Sequence, residues 1–121
     1  MSKTILVVGS VLLFLVPALS ANAQEQKDEE TVTVTGEVLD MVCYLDHGAS
    51  GPKHAKCART CINSGLPVGI KDKSGKVYLV VGEHKPLNRE LAGRAASVVT
   101  LKGKLVSRDG INLLEDAEII K

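Results

Sequence analysis

The sequence is short of aromatic residues and of net charge. Its 121 residues include no Trp, one Phe and two Tyr, and 15 basic against 14 acidic side chains give a formal net charge of +1. So few aromatic rings provide no platform on which nucleic-acid bases can stack. A nearly neutral chain also has no general attraction for the phosphate backbone. We therefore expect no nucleic-acid partner.

The common catalytic motifs are also missing. The sequence contains no Ser-His-Asp arrangement, no pair of catalytic carboxylates, no phosphate-binding loop and no dinucleotide fingerprint. Nothing in it supplies an evident general base. These absences favour a binding role over an enzymatic one.

The first 23 residues have the pattern of a secretory signal peptide. Lys3 precedes an apolar run of about 12 residues, and an Ala-x-Ala cleavage site ends at Ala23. Such a run is too short to span a membrane as a helix, so we expect no stable membrane anchor after cleavage. Removal of residues 1–23 takes away one of the 15 basic residues, which leaves 14 basic and 14 acidic side chains. We predict a periplasmic or secreted protein of zero net charge.

The rest of the chain predicts one small β-rich domain over residues 31–121, after a flexible, charged lead-in over 24–30. Alternating β-branched residues and turn signals indicate five strands, with a short helix between the third and the fourth. Gly36 in the first strand suggests a bulge or a sharp bend. This order is typical of a five-stranded OB-like Greek-key barrel, with an open β-sandwich as the alternative. The predicted strands cover 31–40, 66–71, 76–81, 97–107 and 111–120, and the predicted helix covers 87–95.

An insert over residues 43–65, between the first two strands, concentrates the reactive side chains. The chain has three cysteines and three histidines, and five of these six residues fall within positions 43–61. Exported domains usually carry paired cysteines, so an odd number leaves one over for a metal, an intermolecular bond or a reactive thiol. The insert is therefore where function is sought.

The second half of the insert predicts a helix over 53–64. Pro52 suits the first helical turn, and Gly65 followed by Pro67 marks the end. At 100° per residue, His54, Cys57 and Cys61 fall within an arc of roughly 60°. We expect the adjoining face of this helix to meet the core through Ala58 and Ile62. We expect Cys43 and His47, at the end of the first strand, to close over the helix.

Thiolates and imidazoles bind zinc and copper, whereas calcium and magnesium prefer oxygen ligands. We therefore predict one transition-metal ion, Zn or Cu, held for binding, delivery or structural support. Met41 offers a thioether that would suit copper. The candidate metal ligands are Cys43, His47, His54, Cys57 and Cys61.

Two alternatives remain open. A disulfide between two of the cysteines would staple the insert and make the domain a protein-interaction module. A thiol-redox protein is the other alternative, because positive charge lowers the pKa of a nearby thiol. Against redox catalysis, the chain has no Cys-x-x-Cys motif. The basic residues close to the helix cysteines are Lys53, Lys56 and Arg59.

Two sets of residues carry a resemblance to known proteins. The segments 33–40 and 98–106 resemble the strands of small exported bacterial OB-fold domains. The combination of Asp40-Met41-Val42-Cys43-Tyr44, His54-x-x-Cys57-Ala58-x-x-Cys61 and Gly65-Leu66-Pro67-Val68-Gly69 is similar to a group of exported bacterial proteins of this size with a Cys/His-rich insert. The resemblance implies the barrel fold, and it implies no activity and no catalytic residue.

Overall fold

The structure is a computed structural model that describes residues 30–121. The predicted signal peptide and almost all of the predicted lead-in lie outside the described residues. Within this part of the chain, five strands and three α-helices follow in order, with one 3-10 turn at Pro52–His54. The strands are β1 (Glu30–Asp40), β2 (Val68–Asp72), β3 (Val77–Val80), β4 (Val98–Arg108) and β5 (Ile111–Ile119), and the helices are α1 (Met41–His47), α2 (Ala55–Asn63) and α3 (Asn88–Ala92).

The five strands close into a barrel in the order β1-β2-β3-β5-β4. Four of the pairings are antiparallel, and the parallel pairing of β3 with β5, through Leu79 with Leu113 and Val80 with Leu114, completes the circle. Closure leaves no open sheet edge. The helix α3 lies between β3 and β4 in the chain, as in OB folds. The predicted barrel with a helical insert after the first strand is therefore confirmed.

The strand β1 pairs with β4 along its first part and with β2 along its second part. Its residues 30–37 pair with β4, and its residues 36–40 pair with β2. The register runs through Gly36 without a shift, so of the two features suggested there the bulge is wrong, and the sharp bend stays a prediction. A Cβ atom on Gly36 would lie 2.5 Å from the carbonyl oxygen of Lys71, so glycine is needed for close approach of the two strands. A register shift lies instead in the pairing of β4 with β5, between Lys102 and Lys104.

The barrel core consists of apolar side chains from all five strands and from two helices. Leu101 and Leu114 are completely buried at its centre, and α3 adds Leu91. The helix α2 joins the same core through Ile62, which is also completely buried. The insert is thus seated on one end of the barrel by a side chain that belongs to the common core.

Polar contacts fix the insert at two further points. The Asn88 side-chain amide, at the start of α3, donates to the carbonyl oxygens of Ile62 at 2.8 Å and Leu66 at 2.7 Å. Between α1 and the 3-10 turn, the backbone N–H of Gly51 donates to the Glu37 carboxylate of β1. Within residues 30–121, no helix is long and apolar enough to cross a membrane.

Candidate metal centre

The first part of the insert forms a helix that the sequence analysis missed. Asp40 ends β1 and caps α1, because its two carboxylate oxygens accept from the backbone N–H groups of Val42 and Cys43, each at 3.2 Å. The helix ends at Gly48, in the left-handed conformation. The placement of Cys43 and His47 at the end of the first strand is therefore wrong. Aspartate is a preferred N-cap, and this cap turns the chain into a helix although the residues that follow suit a strand.

The second part of the insert follows the prediction more closely. Pro52 opens the 3-10 turn, and α2 then runs over nine residues. Ala58 and Ile62 are buried against the barrel, as expected from the helical spacing. On the adjoining part of α2, Cys57 is exposed and Cys61 is partly buried.

The two helices bring the three cysteines together. Potential ligand atoms of Cys43, Cys57 and Cys61, which we call the cysteine triad, all lie within 4.8 Å of one another. All three are free thiols, so no disulfide staples the insert in this structure. Because one sulfur comes from α1 and two come from α2, the triad depends on the packing of both helices. It forms a group able to hold a metal ion.

The two predicted histidine ligands differ in their surroundings. His54 occupies the N-cap position of α2 and makes no capping hydrogen bond with its side chain. It lines a small cavity whose walls also include Asp40, Cys43 and Cys57. Both histidines are exposed, but His47 lies at the end of α1, where its Nε2 is 3.0 Å from the carboxylate of Asp46. The group of ligand atoms within 4.8 Å contains neither histidine, and their role as ligands stays a prediction.

The cavity beside the triad is about 10 Å³ in volume, the space of roughly one water molecule. It lies where the end of β1, α1 and the start of α2 meet. Its walls offer carboxylate, thiol and imidazole groups next to apolar side chains. A single ion or water is therefore the largest occupant that fits without rearrangement.

The Asp40 carboxylate dominates the electrostatics of the triad. A hydrogen bond to Asp40, together with burial and the charge of the same carboxylate, raises the pKa of the Cys43 thiol to about 12. Burial, followed by the charge of Asp40, also raises the pKa of Cys61. Without a metal, these two sulfurs therefore carry their protons at neutral pH.

From the sequence alone, Asp40 is expected to be a turn residue or to orient a ligating histidine. In the structure it is 3% exposed, caps α1 and accepts a hydrogen bond from the Cys43 side chain. The signal for the cap was present, since the residue lies two and three positions before the amides that it binds. Met41 also differs from the expectation that its thioether offers a ligand for copper, because in the structure this thioether packs over Gly69 of β2.

In comparisons with known proteins, no family model, no curated protein and no solved structure matches the chain. The function therefore has to be inferred from the chemistry of the residues described above.

Proposed function

We propose that the protein is an exported binding protein for one zinc ion, held by the thiolates of the cysteine triad with His54 as the fourth ligand. The observation that carries this proposal is the convergence of three cysteine ligand atoms, from two helices, within 4.8 Å. Three thiolates and one imidazole are a common set of ligands for tetrahedral zinc. Export rests on the signal-like pattern of residues 1–23 and places the protein in the periplasm or outside the cell.

The spacing of the sulfurs suits such an ion. A tetrahedral site with Zn–S bonds of about 2.3 Å sets its sulfurs roughly 3.8 Å apart. The triad sulfurs lie within 4.8 Å of one another, so metal binding needs an approach of at most about 1 Å. Rotation of cysteine side chains provides a movement of that size without any change in α1 or α2.

The position of His54 supports it as the fourth ligand. It lies one helical turn before Cys57, and it lines the cavity that Cys43 and Cys57 also line. His47 has a competing partner, because Asp46 already lies within salt-bridge distance of its Nε2. The thioether of Met41, which would suit copper, packs over β2 and is therefore engaged in a different contact.

The charges around the triad also favour a divalent cation. Three thiolates and Zn²⁺ leave one excess negative charge, and the buried carboxylate of Asp40 adds to the negative potential. Exposed basic side chains on the outer side of the insert offset part of this charge; these are Lys53, Lys56 and Arg59. Binding requires the loss of the Cys43 and Cys61 protons, so zinc affinity falls as the pH is lowered.

The first test measures metal content and free thiols on the exported protein, purified without a chelator. We expect about one zinc per chain and three thiols that react only after the metal is removed. Cys43→Ser, Cys57→Ser and Cys61→Ser should each abolish stable retention. His54→Ala should weaken zinc binding by about 100-fold or more, since the loss of even an outer-sphere group costs 10–100-fold.

Matched controls separate the ligands from the other histidines. His47→Ala and His84→Ala each remove an exposed imidazole and should leave zinc affinity unchanged. Copper(I), which three sulfurs alone can hold, tests the choice of metal, because a copper protein would retain its ion in His54→Ala. A reduced, folded protein that binds no zinc would refute the proposal, and so would unchanged zinc affinity in the cysteine variants.

A further inference from the structure

The three thiols of the cysteine triad differ in their access to solvent. Cys57 is exposed, whereas Cys43 and Cys61 are partly buried. A dissolved reagent therefore meets the Cys57 sulfur first. The other two sulfurs then lie within 4.8 Å of the point of attack, which is the arrangement of an entry thiol with resolving thiols behind it.

We propose that the metal-free triad is also a thiol–disulfide exchange site, which accepts a small anionic disulfide at Cys57 and stores the oxidising equivalents as a Cys43–Cys57 disulfide. Cys61 remains a thiol. The exchange chemistry needs only the triad itself. Its consequence for metal, release of the ion on oxidation, rests on the proposed function.

Helix geometry selects Cys43 as the partner of Cys57. Residues four apart on an α-helix have Cβ atoms about 5–6 Å apart, whereas a disulfide needs about 3.5–4.5 Å. A Cys57–Cys61 bond would therefore distort α2, which Ile62 holds against the barrel core. Cys43 lies on a different helix, and side-chain rotation can bring its sulfur to the bonding distance.

The exchange balances in two steps. The Cys57 thiolate attacks one sulfur of the external disulfide, whose S–S bond breaks as the first thiol leaves. The Cys43 thiol then gives up its proton to water as its sulfur attacks the Cys57 sulfur of the mixed disulfide and expels the second thiol. Two cysteines lose two electrons, the external disulfide gains them, and the two cysteine protons pass through water to the two released thiols.

The surface around Cys57 selects the charge of the disulfide. Lys53, Lys56 and Arg59 are exposed along the same stretch of chain. The stretch from Pro52 to Asn63 contains no acidic residue. A basic surface of this kind raises the encounter rate with anions and loses that advantage in salt. We therefore expect a disulfide that carries carboxylates to react faster than a cationic one of similar size.

Loss of two of three sulfur ligands is sufficient to release a metal ion from the triad. Zinc in turn occupies the sulfurs and slows their oxidation, because a bound sulfur must leave the ion before it reacts. Metal and disulfide are thus alternative occupants of the same three residues. A reductant of the dithiol class would restore the thiols and, with them, the binding site.

The experiment exposes the reduced, metal-free protein to oxidised glutathione and maps the products by tryptic peptide mass spectrometry. Basic residues separate the three cysteines into the peptides 28–53, 57–59 and 60–71. We expect a cross-link between 28–53 and 57–59, with 60–71 carrying a free thiol. Cys43→Ser should stop at glutathione bound to Cys57, and Cys61→Ser should still form the cross-link.

Rates complete the test. Each rate is divided by the rate of the same reagent with a free model thiol. On this scale oxidised glutathione should react with the protein about tenfold faster than the cationic disulfide cystamine. The double substitution Lys56→Gln and Arg59→Gln should remove most of this preference. Cys57→Ser should slow entry about tenfold. A cross-link between 57–59 and 60–71, a mixed disulfide that never resolves, or equal rates for the two reagents would overturn the inference.

The same experiment on the zinc-loaded protein separates this inference from the proposed function. If zinc binds but oxidised glutathione gives no Cys43–Cys57 bond even in the metal-free protein, the exchange site is refuted and the zinc site stands. If the bond forms in a protein that binds no zinc, the zinc site is refuted and the exchange site stands. Bond formation with equal release of zinc supports both.

Discussion

The barrel and the insert that carries the cysteine triad are built in different ways. The barrel is a continuous ring of strand pairings around completely buried side chains such as Leu101 and Leu114. The insert has two short helices, and α1 contributes a single buried residue, Met41. It is held by Ile62 in the core and by a few polar contacts at its edges. The region that contributes few side chains to the core therefore carries the chemistry.

This difference separates stability from binding. The triad sulfurs lie beside the barrel core, and none belongs to the set of buried core residues. Their substitution creates no core cavity, whereas a change that loosens the seat of α2 acts on the geometry of the sulfurs. Local openings have lower free energies where buried contacts are few. We therefore expect the insert to open locally before the barrel does.

We expect the largest effects from two completely buried side chains, Leu101 in the barrel and Ile62 in the insert. Leu101→Ala and Ile62→Ala should each lower the free energy of unfolding by about 3 kcal/mol, measured by urea denaturation. Only Ile62→Ala should also weaken zinc binding, by about tenfold, because Ile62 seats the helix that carries two sulfurs. Ile62→Val, with a cost near 1 kcal/mol, serves as the milder variant. Equal zinc affinities in Leu101→Ala and Ile62→Ala would show that the seat of α2 does not govern the site.

Two asparagines provide the next comparison. Asn88 donates to two carbonyl oxygens at the end of the insert, and Asn112 donates to the carbonyl oxygen of Val77 within the barrel, at 3.0 Å. Asn88→Ala removes two hydrogen bonds, although the Ile62 carbonyl oxygen keeps the Gly65 backbone N–H as a donor at 3.0 Å. It should cost about 2 kcal/mol, against about 1 kcal/mol for Asn112→Ala.

Hydrogen exchange locates these effects. Asn88→Ala should accelerate exchange of the α2 amides before those of β4, and Asn112→Ala should act on β3 and β5. Zinc should slow exchange of the α2 amides in the unchanged protein. Uniform acceleration across barrel and insert in Asn88→Ala would show that the insert does not open as a separate unit.

The sequence predicted the barrel well because its signals are local and repeated. Alternating β-branched residues mark β1, and turn residues at Asp72–Gly75 and Asp109–Gly110 join the strands that follow. The periodicity of α2 likewise placed Ala58 and Ile62 correctly against the core. Such patterns depend on neighbours in the chain, and they survive folding without knowledge of distant contacts.

The candidate site was less accessible from the sequence because it depends on one cap and on packing between elements. Val42, Cys43 and Tyr44 have the composition of a strand end, and the Asp40 cap overrides that preference. The convergence of Cys43 with the α2 sulfurs needs the angle between two helices, which no spacing rule specifies. The suggested bulge at Gly36 failed for a related reason, since the glycine meets a different strand, at Lys71.

Asp40→Asn tests the influence of the carboxylate at the end of β1 on the thiols of the triad. Its effect on stability should be small, because asparagine is an equally good helix cap. Removal of the carboxylate charge should lower the pKa of Cys43 from about 12 toward its ordinary value of 9.0. Alkylation of the metal-free protein, followed on the 28–53 peptide as a function of pH, reports this change. Alkylation of Cys43 at neutral pH should become faster, and an unchanged pH profile would contradict the role assigned to Asp40.

The smallest expected effect lies in the barrel and separates its acid response from that of the insert. A hydrogen bond from the Ser74 hydroxyl, with further donors from the backbone of Lys76 and Ser74 and from Tyr78, lowers the pKa of Asp72 below 3.8. Because the folded-state pKa lies below the unfolded one, this stabilisation is complete above about pH 4 and is lost as the pH falls through the folded value. Asp72→Asn should therefore reduce the free energy of unfolding at neutral pH, and its difference from the unchanged protein should vanish in strong acid.

Zinc, by contrast, should leave at a milder pH, since protons compete for thiolates whose pKa values are raised. Acidification then proceeds in two stages, metal release from the insert followed by loss of the Asp72 contribution, and Asp72→Asn should change only the second. A shift of the zinc-release midpoint in Asp72→Asn would show that the two regions are coupled.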